Sequence, residues 1–143
     1  MDTRFWGPDG WLILHSITAN YPTKITSNEK HIYLHFFNTL EFLLPCVYCR
    51  KSFSKYYKEL PIEEYLTTKT DICFWLYLIH NKVNDKLRQQ KLNDKKNPEF
   101  KTIYKKFNKY ITKTKSAEQI PGFKFLNSIL FNIALKIKTV DKS

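Results

Sequence analysis

Apolar side chains recur along this chain at intervals of three and four residues, and no stretch alternates strictly between apolar and polar positions. That period lines one face of an α-helix, so helices are predicted throughout. Trp11, Leu14, His15 and Thr18 share a face of a first helix over about 8–19. Pro8 suits its first turn, and Tyr21-Pro22 ends it. A second helix over about 28–43 takes Ser27 or Asn28 as its cap and is expected to bury the stripe Ile32, Phe36, Leu40 and Leu43. Pro45 breaks the chain, and a third helix begins near Cys46, carrying Cys49, Phe53, Tyr56 and Tyr57. A fourth is expected from the cap-like Thr70-Asp71 to Gln89. A fifth runs over about 98–111 with Phe100, Ile103, Tyr104 and Phe107 on one face, and a sixth, amphipathic, over 123–138. The lysine- and asparagine-rich piece 88–98 reads as the main loop. The fold class is all-α, a helical bundle.

Composition narrows this picture little. The 143 residues suit one domain with a modest core, and only 3 glycines speak against glycine-rich phosphate loops. Lys and Arg number 24 against 13 Asp and Glu, an excess that raises nucleic acid, membrane surface or an acidic ligand, but lysine beside abundant Asn and Ile reads first as composition and solvation, with some lysines drawn to cofactor phosphates and no nucleic acid expected. No run of about 18 apolar residues exists to span a membrane, and the N-terminal residues lack a signal-peptide core. The expectation is a cytosolic chain, in a host cell or virion if viral, with no transmembrane segment.

Three cysteines, Cys46, Cys49 and Cys73, are too few for a disulfide framework. Cys46-Val47-Tyr48-Cys49 places two sulfurs one turn apart at a predicted helix start, where the helix dipole favours thiolate. Arg50 and Lys51 add positive charge. Three readings fit such a pair: a redox dithiol, half of a zinc site and a thioredoxin-like motif. Zinc needs further ligands at fixed spacing, and the remaining candidates, Cys73 and four scattered histidines, show none. A thioredoxin-like motif needs flanking strands, and helical segments flank this one. Cys73, in the apolar run Ile72-Cys73-Phe74-Trp75, reads as a buried free thiol.

Two further clusters mix aromatic and polar groups. Trp11 and His15 lie four apart on one helical face, a flat surface beside an imidazole. His80, Val83, Asn84 and Leu87 share a face of the fourth helix, and a buried His and Asn require partners. Each cluster alone also fits a core whose polar groups satisfy one another. A heteroaromatic ligand would satisfy both.

Taken together, Trp6-Gly7, Trp11, Leu14-His15, Tyr21-Pro22, Pro45-Cys46-x-x-Cys49 with Phe53, and His80-Asn81-x-Val83-Asn84-x-x-Leu87 resemble the Erv/ALR family of flavin-linked sulfhydryl oxidases. The resemblance spans roughly residues 5–110 and is nearest to the short viral members. It implies a four-helix bundle with a short fifth helix, noncovalent FAD and a homodimer. It implies oxidation of protein dithiols, with electrons passing through the Cys46–Cys49 disulfide to FAD and then to O2, giving H2O2. Cys49 would stand next to the flavin, and Cys46 would exchange with substrate. Gly7, Trp11, His15, His80 and Asn84 would line the cofactor. Tyr21, Asn81, Val83, Lys86, Leu87, Lys101 and Tyr104 match further FAD neighbours. No second cysteine pair accompanies the first, so substrate would reach Cys46 directly or through a separate thioredoxin-like protein. Residues 1–113 would form the FAD-binding domain. Residues 114–143 would be a helical extension packed on that domain or on a dimer partner. The rival classes are a basic nucleic-acid-binding module and a structural zinc module.

Overall fold

The structure, a computed structural model, describes residues 1–111. The sixth helix, the extension 114–143 and the boundary before it lie outside the described residues. Five α-helices follow in order: α1 (Thr3–Ala19), α2 (Ser27–Leu43), α3 (Val47–Glu59), α4 (Lys69–Gln89) and α5 (Phe100–Ile111), with a 3-10 turn over Ile62–Tyr65 before α4. Among the described residues there is no strand. None of these helices is long and apolar enough to cross a membrane.

Helix starts are set by side chains that satisfy the first amides. Asp2 caps α1, its carboxylate accepting the Arg4 N–H at 2.8 Å. Helix α1 therefore begins five residues earlier than expected, and Pro8 falls inside it rather than in its first turn. Having no N–H, Pro8 forgoes one helical bond but stays exposed. Helix α2 opens with a reciprocal capping box. Thr26 Oγ1 accepts the Glu29 amide at 3.2 Å, and Glu29 Oε2 accepts the Thr26 amide at 2.8 Å. Helix α4 repeats the device with Thr68 and Asp71, so Asp71 is the returning partner and Thr68 the cap, in place of the expected Thr70-Asp71.

Helix α4 is the spine. It packs against α1, α3, α5 and the 3-10 turn, while α2 packs against α3. Its Ile72, Cys73, Trp75, Leu76 and Ile79 are buried. They meet Tyr21, Phe37, Leu40, Phe53, Tyr56, Ile62 and Leu66 in one core. The expected α2 stripe holds at Leu40 and, half-buried, at Phe36, but its two ends turn outward and Phe37 takes an inner place. Phe37 and Leu40 are buried, whereas Ile32 is 61% exposed and Leu43 71% exposed. Helix α2 is apolar on adjoining faces, so period alone does not say which face turns inward. The outer faces of α1 and α2 carry exposed Phe5, Leu12 and Ile13, and Ile32, Phe42 and Leu43.

Candidate active site

Two arrays of side chains sit on the helices that α4 joins. The first is aromatic. Trp11 of α1 and His80 of α4 lie in parallel contact, ring centroids 3.7 Å apart and planes 6° apart. His15, one turn after Trp11, is buried and shares a 3.0 Å hydrogen bond between its Nε2 and His80 Nδ1. Phe107 of α5 stacks on His15 with centroids at 5.1 Å. Trp11 and His80 leave no gap for a third ring between them.

Burial drives both imidazoles down to about 4, with repulsion from His80 and Lys106 adding to the effect on His15. They are neutral near pH 7, a state in which each ring offers one donor and one acceptor. Linkage then has a definite sign. Below the ordinary histidine value of about 6.5 the unfolded chain binds protons that the folded one refuses. This stabilisation is complete above that value and is lost as pH falls towards 4. Taken singly, each imidazole is expected to remove about 2 kcal/mol of stability by pH 5. Urea unfolding at pH 7 and pH 5 checks this, and His80→Phe should flatten the difference.

The second array is the cysteine pair. Cys46 is the N-cap of α3, its sulfur accepting the Cys49 amide at 3.3 Å. A cap is where an anionic sulfur is best received. Burial works against the Cys46 thiolate, but hydrogen bonds from the Cys49 thiol and from the Cys49 and Tyr48 amides outweigh it and hold Cys46 below its ordinary value. Burial pushes Cys49 up to about 11, the hydrogen bond to Cys46 and repulsion from Cys46 add to this, and Lys86 opposes it. In the reduced pair the first negative charge therefore belongs to Cys46. The counter-charge at Cys49 comes from α4 and not from Arg50 or Lys51, as expected from their adjacency. Arg50 instead reaches back to the Phe42 carbonyl at 3.3 Å.

The remaining predicted residues divide. Asn84 donates through Nδ2 to Asn97 Oδ1 at 3.2 Å, and Lys86 donates to Ser52 Oγ at 2.7 Å. Asn81, Val83 and Leu87 are half-buried on α4, and Val83 packs on the core. Tyr104 is half-buried, its hydroxyl 3.3 Å from Thr70 Oγ1, and Lys101 is exposed on the same helix. A Cβ built on Gly7 meets no atom within 4 Å, which leaves the Trp6-Gly7 turn of α1 open to close approach. Tyr21 is not brought to the plate. It is 1% exposed, and its hydroxyl donates to the Leu66 carbonyl at 2.5 Å, a core tie.

Sequence reasoning missed Ser52 and Asn97 as partners of site residues. Ser52 follows Cys49 by one helical turn, a spacing that was available to reading. Asn97 lies in the loop, where no period points to it. It accepts from Arg88 at 3.1 Å and donates to Asp85 at 3.2 Å, and Arg88 and Asp85 are themselves paired.

The Erv1/Alr family model matches residues 8–109, which take in both arrays. The chain belongs to the Erv1/Alr family. It is similar to the mitochondrial FAD-linked sulfhydryl oxidase ERV1 of Saccharomyces cerevisiae, 34% identical over 92 residues that cover 64% of this chain and 48% of that protein. It is also similar to a probable FAD-linked sulfhydryl oxidase of Acanthamoeba polyphaga mimivirus, 33% identical over 85 residues and 59% of each chain. Thus it spans about half the length of these relatives. Its fold matches the crystal structure of the yeast Erv1 core with a TM-score of 0.66 at 30% identity, covering 75% of this chain and 84% of that one. For the FAD-binding domain of yeast Erv1 the TM-score is 0.67 at 30% identity, over 76% and 96%. The Erv1/Alr helices are thus present here as the four-helix bundle with a short fifth helix.

Proposed function

We propose that this chain is an FAD-dependent thiol oxidase that makes disulfides in protein dithiols. The observation that carries the reading is the neutral Trp11–His80–His15 plate, on the same α4 that sends Lys86 towards the Cys46–Cys49 pair. The donor set fits a flavin nucleotide. A flat aromatic surface receives a ring, uncharged imidazoles and the Asn81 and Asn84 amides meet heteroatoms along its edge, and the exposed Lys101 of α5 offers charge to phosphates.

The disulfide between Cys46 and Cys49 is the reacting form. A substrate thiolate attacks Cys46 Sγ, the S–S bond breaks, and Cys49 departs as thiolate. Cys46 in the mixed disulfide bears no charge, so the repulsion that raises Cys49 is gone and Lys86 faces a lone anion. The second substrate thiol, deprotonated, then attacks the mixed disulfide and leaves as one half of the new disulfide, releasing Cys46 to the helix cap. FAD held against the Trp11–His80 plate would supply the two-electron acceptor that returns the Cys46–Cys49 dithiol to its disulfide, with O2 as the final acceptor and H2O2 as product. The protein's part is to present Cys46 to substrate, hold Cys49 inside and keep the plate uncharged. Substrate reaches Cys46 directly or through a thioredoxin-like carrier.

The visible spectrum of purified protein tests this. A band near about 450 nm that bleaches under anaerobic dithiothreitol and returns with air is expected. A protein that stays colourless after incubation with FAD would sink the reading. The exposed apolar faces of α1 and α2 support a homodimer. Ile13→Glu is expected to weaken self-association by at least about tenfold, because it places a charge in a face that would otherwise be desolvated. Light scattering across a dilution series reads this out, and an unchanged mass would remove these faces as the interface.

A further inference from the structure

We propose that Ser52 is a positioning residue for the redox pair, holding the Lys86 ammonium against the turn of α3 that carries Cys49. The counter-charge for the inner sulfur is thereby supplied across the α3–α4 seam by a tethered lysine.

Ser52 lies three residues after Cys49, so the two side chains share one face of α3. Its hydroxyl accepts from Lys86 Nζ at 2.7 Å, in a half-buried setting. A lysine carries four rotatable side-chain bonds and a compact charge, and it serves as a local counter-ion only where something fixes it. Ser52 does so without neutralising it, because a hydroxyl brings no charge of its own. A carboxylate at position 52 would cancel the ammonium instead. The groups acting on Cys49 are few. Cys46, at the cap of its own helix, disfavours the inner thiolate, and Lys86, from α4, favours it. Once Cys46 is neutral, Lys86 is the charge that remains.

The assignment rests on the oxidase reading for its purpose, but its test needs no turnover. In full-length Cys46→Ser protein, as purified and reduced, the rate of iodoacetamide labelling at Cys49 is followed against pH by peptide mass spectrometry. Lys86→Met is expected to raise the midpoint by about one pH unit, a roughly tenfold slower reaction below it. Ser52→Ala should raise it by about half as much, while Ser52→Thr and Lys86→Arg stay with the parent. Labelling at buried Cys73 reports any variant that opens the fold. If Lys86→Met does so, the pair Ser52→Ala and Ser52→Thr decides. Coincident curves for Ser52→Ala and the parent would overturn the positioning role, and an unmoved Lys86→Met would overturn the charge itself. A colourless protein that shows these shifts would refute the oxidase reading and leave this assignment standing.

Discussion

Cys49→Ser is expected to abolish dithiol-driven oxygen consumption, down to the background of the assay, while leaving the fold intact. The sulfur of Cys49 is half-buried on the first turn of α3, and only Cys46 precedes it at the cap. A serine hydroxyl there cannot form the disulfide that substrate attacks, nor leave as a stable anion. Cys46→Ser is also expected to stop turnover, by a different route. It retains the inner sulfur and removes the Cys46 charge that adds to burial in raising Cys49. A long-wavelength charge-transfer band, growing as pH rises, is therefore expected from Cys46→Ser and not from Cys49→Ser. Oxygen-electrode rates and absorbance spectra of the two variants make the comparison. Wild-type turnover by either would mean that the roles of the two sulfurs are misassigned.

Trp75→Ala is expected to cost about 3–5 kcal/mol of folding stability, the range found when a large aromatic is cut from a closed core. Trp75 is fully buried at the centre of α4. Phe37 and Tyr57 meet it edge-on at 4.9 and 6.0 Å, and its indole N–H donates to the Leu60 carbonyl at 2.8 Å. The substitution thus opens a cavity, removes two aromatic contacts and leaves a carbonyl short of its donor at the end of α3. Trp75→Phe retains much of the volume and loses the hydrogen bond, so its cost should be well under half as large. Denaturant unfolding at pH 7 measures both. A loss below about 1 kcal/mol for the alanine variant would show that α4 is not the element on which the core depends.

The helices themselves were legible because apolar spacing and proline breaks are local signals, and local signals decide where a helix can exist. Their first residues were less so. Thr26 with Glu29 and Thr68 with Asp71 satisfy each other's amides, and such a pair outcompetes a lone Ser27, Asn28 or Thr70 nearby. The phase of α2 could be read only in part, since Ile32 and Leu43 are as apolar as Phe37. Which set turns inward depends on where α3 lies. The site divides the same way. Cys46, Cys49, Trp11, His15 and His80 are singled out by spacing within one helix or by the resemblance. The Trp11–His80 contact and the Lys86–Ser52 bond join helices far apart in the chain, and no local pattern encodes them. Tyr21 matched the family's pattern and yet serves the core, because its hydroxyl is claimed by Leu66.

The bond between His15 Nε2 and His80 Nδ1 has one more implication. Both rings are neutral, so a single proton lies between them, and whichever ring holds it must carry a bare nitrogen at its far end. The outward edges of the two imidazoles are therefore always opposite in kind: when one offers a hydrogen, the other offers a lone pair. Moving the central proton and the outer one together exchanges these parts. The pair behaves as a seesaw, able to greet a ligand edge in either sense but never with two hydrogens or two lone pairs at once.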